Sequence, residues 1–258
     1  MGIVLFILFF GGFLALVIGA VLWGQAMEKK RTEAFRLQAA MLGCTLDENA
    51  MPPNDATYGR LKIFQHGRSR QVRNVLRRAT DRGGELLALD YRYTTGSGKS
   101  SHTYFLSIVL FRISGVSMPG FTLQPEHFVH RIIDFIGFHD IDFSEDEEFS
   151  RKINLLGDNQ DAVRAFFNAE LRAILAAQPD WCVDGSGEWL AFHKINYRSA
   201  PEEIGNFIEE ARKIPKRRRA TKPTRSSKER RLKSKAAHSD KKRERSSAEE
   251  LKKQEAML

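Results

Sequence analysis

The sequence predicts an α+β protein: a transmembrane helix, then a domain of antiparallel sheet with packed helices, then a disordered basic tail. Three observations predict it. Residues 3–23 are apolar without a single charge, residues 28–214 alternate between strand-period and helix-period segments, and residues 215–258 are polybasic with almost no large apolar side chain. Helices interleaved with hairpins are the pattern of an α+β domain.

The apolar run is long enough to span a bilayer, because about twenty residues at 1.5 Å rise cover a hydrocarbon core of about 30 Å. Nothing after Glu28 is apolar enough for a second span. Gly24-Gln25-Ala26 offers small residues of the kind found at signal-peptide cleavage sites. Against cleavage, no Lys or Arg precedes the run, the run exceeds a usual signal core, and the positive charges of Lys29-Lys30-Arg31 follow it. A retained anchor over residues 1–27 is therefore expected. The same charges predict a cytoplasmic body with the N-terminus outside, at the cell membrane. Gly11-Gly12 and Gly19-Ala20 read as ordinary membrane composition, since Gly12 and Gly19 lack the four-residue spacing of a glycine pairing face.

Next in order is the body. Residues 32–42 continue the anchor as a helix ended by Gly43, and a Pro-, Asn- and Asp-rich loop follows. Strands are predicted at 73–79, 86–94 and 103–113, separated by the turn-forming stretches Asp81-Arg82-Gly83-Gly84 and 95–101. Pro119-Gly120 and Pro125 interrupt the pattern and mark where two sub-domains would divide, near 119–125. A helix over 126–136 follows, then a longer one from an Asp158 or Asn159 cap to Ala177, stopped by Gln178-Pro179. Residues 181–183 and 189–197 read as a hairpin around Asp184-Gly185-Ser186-Gly187. The last helix opens on a Ser199–Glu202 capping box with Pro201 in its first turn, and buries Ile204, Phe207, Ile208 and Ala211.

Several of these segments carry a resemblance. The Asp90-Tyr91-Arg92-Tyr93 strand with its Gly96-Ser97-Gly98 turn, the Asp140-Ile141-Asp142-Phe143 stretch leading to Phe149-Ser150, the Leu156-Gly157-Asp158 helix entry, and Trp181 and Trp189 together resemble an uncharacterised group of bacterial single-pass membrane-anchored proteins. The resemblance covers residues 32–214 and not the tail. It implies a recurring domain and brings no activity, cofactor or site residue with it.

No local motif supplies chemistry. Gly98-Lys99-Ser100 ends like a phosphate-binding loop, but that loop needs a glycine at position 93, where Tyr93 stands, and a following helix where a strand is predicted. Asp140, Asp142 and Ser144 open like a calcium loop, but its sixth and twelfth positions are Glu145 and Arg151 in place of Gly and Glu. The acidic run is better read as a short helix capped by Ser144 with Glu147 as partner. His127, His130 and Asp134 share one side of the 126–136 helix with Arg131, which would repel a cation, so a solvated face is the better reading. Should the chain be an enzyme, His127, His130, Asp140 and Asp142 are the least poor candidates. No cofactor is predicted. Cys44 and Cys182 lack metal-site spacing, and a cytoplasmic face argues against a disulfide, so half-buried thiols are expected.

Charge concentrates at the C-terminal end. Residues 211–258 hold 19 Lys and Arg against 6 Asp and Glu, a surplus of 13 in a chain of net charge +9, so residues 1–210 carry −4. The tail cannot bury enough apolar surface to offset chain entropy. Its Lys216, Arg217, Arg218, Arg219, Lys222, Arg225, Lys228, Arg230 and Arg231 are the expected anionic-surface contacts. Each gains on the order of 1 kcal/mol near anionic lipid. Acidic protein is an alternative partner, and nucleic acid another through counterion release, though no aromatic residue from 211 onward offers base stacking. The leading expectation is a non-enzymatic membrane protein with a cytoplasmic binding domain. The alternatives are a tethered nucleic-acid binder and an enzyme with an unrecognised site.

Overall fold

The computed structural model describes residues 2–50, 57–81, 83–126 and 138–214, with side chains from residue 9 onward. The predicted helix over 126–136, apart from Glu126, lies outside these residues with His127, His130 and Asp134, and so does the whole tail. Within them the class is α+β.

Helix α1 runs unbroken over Gly2–Leu42. It is the one helix among the described residues long and apolar enough to cross a membrane. Residues 9–27 of it are exposed, and its contacts with the body begin at Glu28. Gly43, at φ +62°, takes the left-handed conformation that ends the helix, as predicted.

One nine-stranded sheet follows: β1 (Thr45–Asp47), β2 (Arg68–Ala79), β3 (Glu85–Thr95), β4 (His102–Arg112), β5 (Met118–Pro125), β6 (His139–Asp140), β7 (Ile153–Gly157), β8 (Trp181–Gly187) and β9 (Trp189–Lys194). Its order is β1-β2-β3-β4-β9-β8-β5-β7-β6, and each pairing is antiparallel. Side chains alternate between two cores. On β3, Leu86 and Ala88 join a core built with α1, α4 (Gln160–Phe166), α5 (Ala169–Ala176) and α6 (Ile204–Lys213). Leu87, Leu89, Tyr91 and Tyr93 join the other, covered by Tyr58, Leu61, Ile63 and Phe64 of a 3-10 turn and α2 (Lys62–Gln65).

Five local expectations are corrected. Residues 118–125, read as a break, form a strand paired to β7 on one side and β8 on the other. Its register shift between Met118 and Phe121 accommodates Pro119, which cannot donate to a ladder. The predicted 158–177 helix is two helices, because Asn168 turns out of helical geometry and its side chain accepts from Leu171 N–H at 2.9 Å. Asn168→Ala should therefore cost about 1 kcal/mol, read as a lowered denaturation midpoint. The short acidic helix α3 (Glu147–Lys152) is capped by Asp146, through Phe149 N–H, and not by Ser144. Ser199 forms no capping box: its hydroxyl donates to the Ala200 carbonyl, and a 3-10 turn over Pro201–Glu203 precedes α6. Finally, β8 continues through Gly187, so Asp184 and Gly185 are strand residues. Gly185 is required there, because a Cβ would clash with the Phe121 ring.

Candidate functional site

Two polar constructions interrupt the apolar faces of this sheet. The first is the mount of α1. Asp90 follows Leu86 and Ala88 on the face that α1 crosses, so a carboxylate stands where an apolar residue would. It is 4 % exposed. Arg31 donates to it twice, from Nε and Nη2, each at 2.7 Å. Asn74 Nδ2 donates at 3.0 Å and Arg198 Nη2 at 3.2 Å. Arg198 in turn grips both oxygens of Glu28 at 2.6 and 2.8 Å. Arg31 also donates to the Ser199 carbonyl at 2.8 Å, and Thr32 donates to Asn74 Oδ1 at 2.8 Å. Glu28, Arg31 and Thr32 lie on one side of α1 by their three- and four-residue spacing, so one helical turn docks as a unit.

Burial alone would push the Asp90 carboxyl up. The hydrogen bond from Arg31 and the charges of Arg198 and Arg31, with Asn74, outweigh it and hold the group below the ordinary carboxylate range. Arg198 likewise lowers Glu28, chiefly by its hydrogen bond.

The second construction is a cavity of about 50 Å³ on the opposite face, roomy enough for a few waters. Strand pairing builds it. Thr122 lies opposite Asp184, Cys182 opposite His193, and Gln124 opposite Asn154, so their side chains emerge on one face. Asp184 is 2 % exposed and accepts from the Thr122 hydroxyl. His193 Nε2 stands 3.7 Å from Asp184 Oδ2, beyond hydrogen-bond range, and His193 Nδ1 has no hydrogen-bond partner among the described residues. Tyr93 and Tyr104 stack at 5.1 Å as one wall, with His66 edge-on to Tyr93 at 5.4 Å. Burial pushes the Tyr93 phenol up, and Tyr104, Cys182 and Asp184 add to the rise. Burial pushes His66 down and favours its neutral form.

This wall holds one carboxylate and neither Lys nor Arg among its described residues. A buried carboxylate with one hydroxyl donor favours a cation or a strong hydrogen-bond donor, and tyrosine faces favour a cation as well. Cys182 does not turn the cavity into a nucleophilic site. It is buried, and burial first, then Asp184, raises its thiol far above the ordinary range, so the reactive thiolate is suppressed. Under native conditions a maleimide should label Cys44, which is half-buried, well before Cys182. Mass spectrometry after timed quenching reads the order, and equal rates would mean that β8 opens readily.

Of the residues singled out in the sequence, Asp140 lies on β6, where burial and then Asp142 raise its carboxyl. Asn154 donates to Asp140 at 3.5 Å. Among the described residues no three His, Cys, Asp or Glu side chains gather as a metal site. Gly98–Ser100 forms a 3-10 turn followed by β4, which is not phosphate-loop geometry. Both cysteines are free, but Cys182 is fully buried where a half-buried thiol is expected. Asp184 and His193 give no sequence signal: Asp184-Gly185 has the composition of a turn, and His193 lies within an ordinary strand.

No protein-family model matches this chain, and no curated protein matches it. Among solved structures, the crystal structure of the mycobacterial trehalose monomycolate transport factor A is similar at a TM-score of 0.45 and 10% identity. The match covers 73% of this chain and 96% of that one.

Proposed function

We propose that this chain is a single-pass membrane protein whose cytoplasmic domain is a non-enzymatic binding module, held at a fixed attitude to the bilayer, with a basic tail that contacts anionic lipid. The observation that carries the proposal is α1. Its uncovered apolar half continues, without a break in the helix, into a half clamped on the sheet by Arg31–Asp90 and Arg198–Glu28. A domain that presents a surface to a membrane partner gains a defined height and orientation from such a mount. The cavity at Asp184 is the recognition site for a small cationic or hydrogen-bond-donating group.

Topology tests the proposal. A single cysteine placed after Leu258, with Cys44 and Cys182 replaced, should be protected from a membrane-impermeant thiol reagent in intact cells and labelled on lysis. Labelling in intact cells would reverse the orientation and sink the cytoplasmic reading. The tail can be tested on its own: a synthetic peptide of residues 216–258 should bind vesicles containing anionic lipid, release them as salt rises, and ignore zwitterionic vesicles. Equal retention on both would remove lipid as its partner.

A further inference from the structure

Beyond the span, α1 has three faces. Glu28, Arg31, Thr32, Phe35, Ala39 and Leu42 pack on the body, while Lys29, Glu33 and Arg36 form a charged face whose Arg36 reaches Glu48 at 2.6 Å. The third face carries Met27, Lys30, Ala34, Leu37 and Met41. At 100° per residue its centre lies roughly 130° around the helix from the docked face. Leu37 and Met41 are each 69% exposed, on a stretch that follows the Lys29-Lys30 boundary of the span.

Two exposed apolar residues alone would need no explanation. These two continue a repeat. Phe9, Leu16, Trp23, Lys30 and Leu37 recur every seven residues, as do Phe13, Ala20, Met27, Ala34 and Met41 four residues later. The two series alternate in steps of four and three, which is the spacing of a coiled-coil seam. Inside the span lipid satisfies any apolar pattern, so Phe9 to Trp23 decide nothing alone. Past Glu28 the other two faces are polar or docked, and the seam persists at Ala34, Leu37 and Met41. Lys30 is its single polar member.

We propose that α1 pairs with α1 of a second copy as a parallel two-stranded coil along this seam. A second copy is the occupant that the seam fits. Insertion in one membrane gives all copies the same direction and depth, so identical seams meet in register. A two-fold axis then closes the contact on itself, and the body lies away from it. One polar residue in a seam fixes register and strand number at a cost in stability, and the Lys30 stem is long enough to lift its charge toward the headgroups. The inference takes from the proposed function only the common orientation of copies, which the C-terminal labelling tests separately.

Disulfide scanning of the full-length protein in native membranes tests it. In a background of Cys44→Ser and Cys182→Ala, Leu37→Cys and Met41→Cys should form dimers on mild oxidation. Glu33→Cys and Arg36→Cys should give at least tenfold less. Uniform cross-linking, cross-linking confined to the charged face, or adducts to another protein would overturn the pairing. A second readout is independent of cysteine chemistry. Because Leu37 and Met41 are exposed, Leu37→Glu with Met41→Glu should leave the thermal midpoint of the domain unchanged while converting dimer to monomer, read by subunit counting in single nanodiscs. A dimer that survives both charges, or a monomeric parent protein, would also overturn it.

Discussion

Asp90→Ala is expected to cost about 3–5 kcal/mol, the range for removing one partner of a buried ion pair. For a domain of this size that lowers the thermal midpoint by roughly 6–20 °C. The loss comes from what remains. Arg31 and Arg198 converge on the vacated position with side chains 13% and 23% exposed, and among the described residues neither has another carboxylate there except Glu28, which Arg198 already holds. The pair itself need not be strongly stabilising. Removing the set together, as Asp90→Leu with Arg31→Met and Arg198→Met, should recover much of the loss, because no buried charge is then orphaned. Thermal denaturation of the full chain in detergent decides it. A loss under about 1 kcal/mol for the single variant would mean that both guanidiniums reach water, and the clamp would be loose.

Acid should probe the same clamp. Asp90 and Glu28 are both held below their ordinary values in the folded chain. Groups with depressed folded values contribute stability that is present above the ordinary carboxylate range, about pH 4, and is lost as pH falls through the folded values. The parent protein should therefore lose stability on acidification from about pH 5, and Asp90→Asn should show a flatter acid limb.

The sequence carries much of this fold, and its failures have physical causes. Strands β3 and β4 are legible because Leu86 to Tyr93 and Tyr104 to Phe111 are dense in residues that suit a pleated surface. Strand β5 is hidden by Pro119, Gly120 and Pro125, which locally signal a break and are tolerated at a bulge and a strand end. Strand β7 starts at Ile153 directly after α3, with no turn residue to announce it. The α4–α5 break is invisible to periodicity because apolar residues recur at helical spacing on both sides of Asn168. The mount is the harder case. Arg31, Asp90 and Arg198 are separated by 59 and 108 residues, so only the folded sheet brings them together. One signal was present: Asp90 shares a strand face with Leu86 and Ala88, and a carboxylate in that position needs a partner. The cavity offers none, since Thr122, Asp184 and His193 are ordinary residues until pairing of β5, β8 and β9 aligns them.

Phe35→Ala is expected to cost a further 3–5 kcal/mol, as for other fully buried aromatic truncations. Phe35 is 0% exposed and is the apolar half of the mount, one turn beyond Arg31, whose guanidinium lies over its ring at 5.1 Å. Truncation leaves a void between α1 and the sheet and removes the surface that holds Arg31 against Asp90. The two variants should therefore be non-additive, the double losing less than the sum because each already weakens the Arg31 contact. Hydrogen exchange separates this from general destabilisation. Amides of residues 28–42 that are protected in the parent should exchange first in Phe35→Ala, while β3 and β4 keep their protection until global unfolding. The consequence for function is geometric. With residues 3–23 as the proposed anchor, the protein should stay in the membrane, since they are untouched, but the distance between a label on the sheet and the bilayer surface should broaden from one value to a distribution. If that distance stays single while exchange rises, orientation is set by something other than α1, and the mount is a stability element alone.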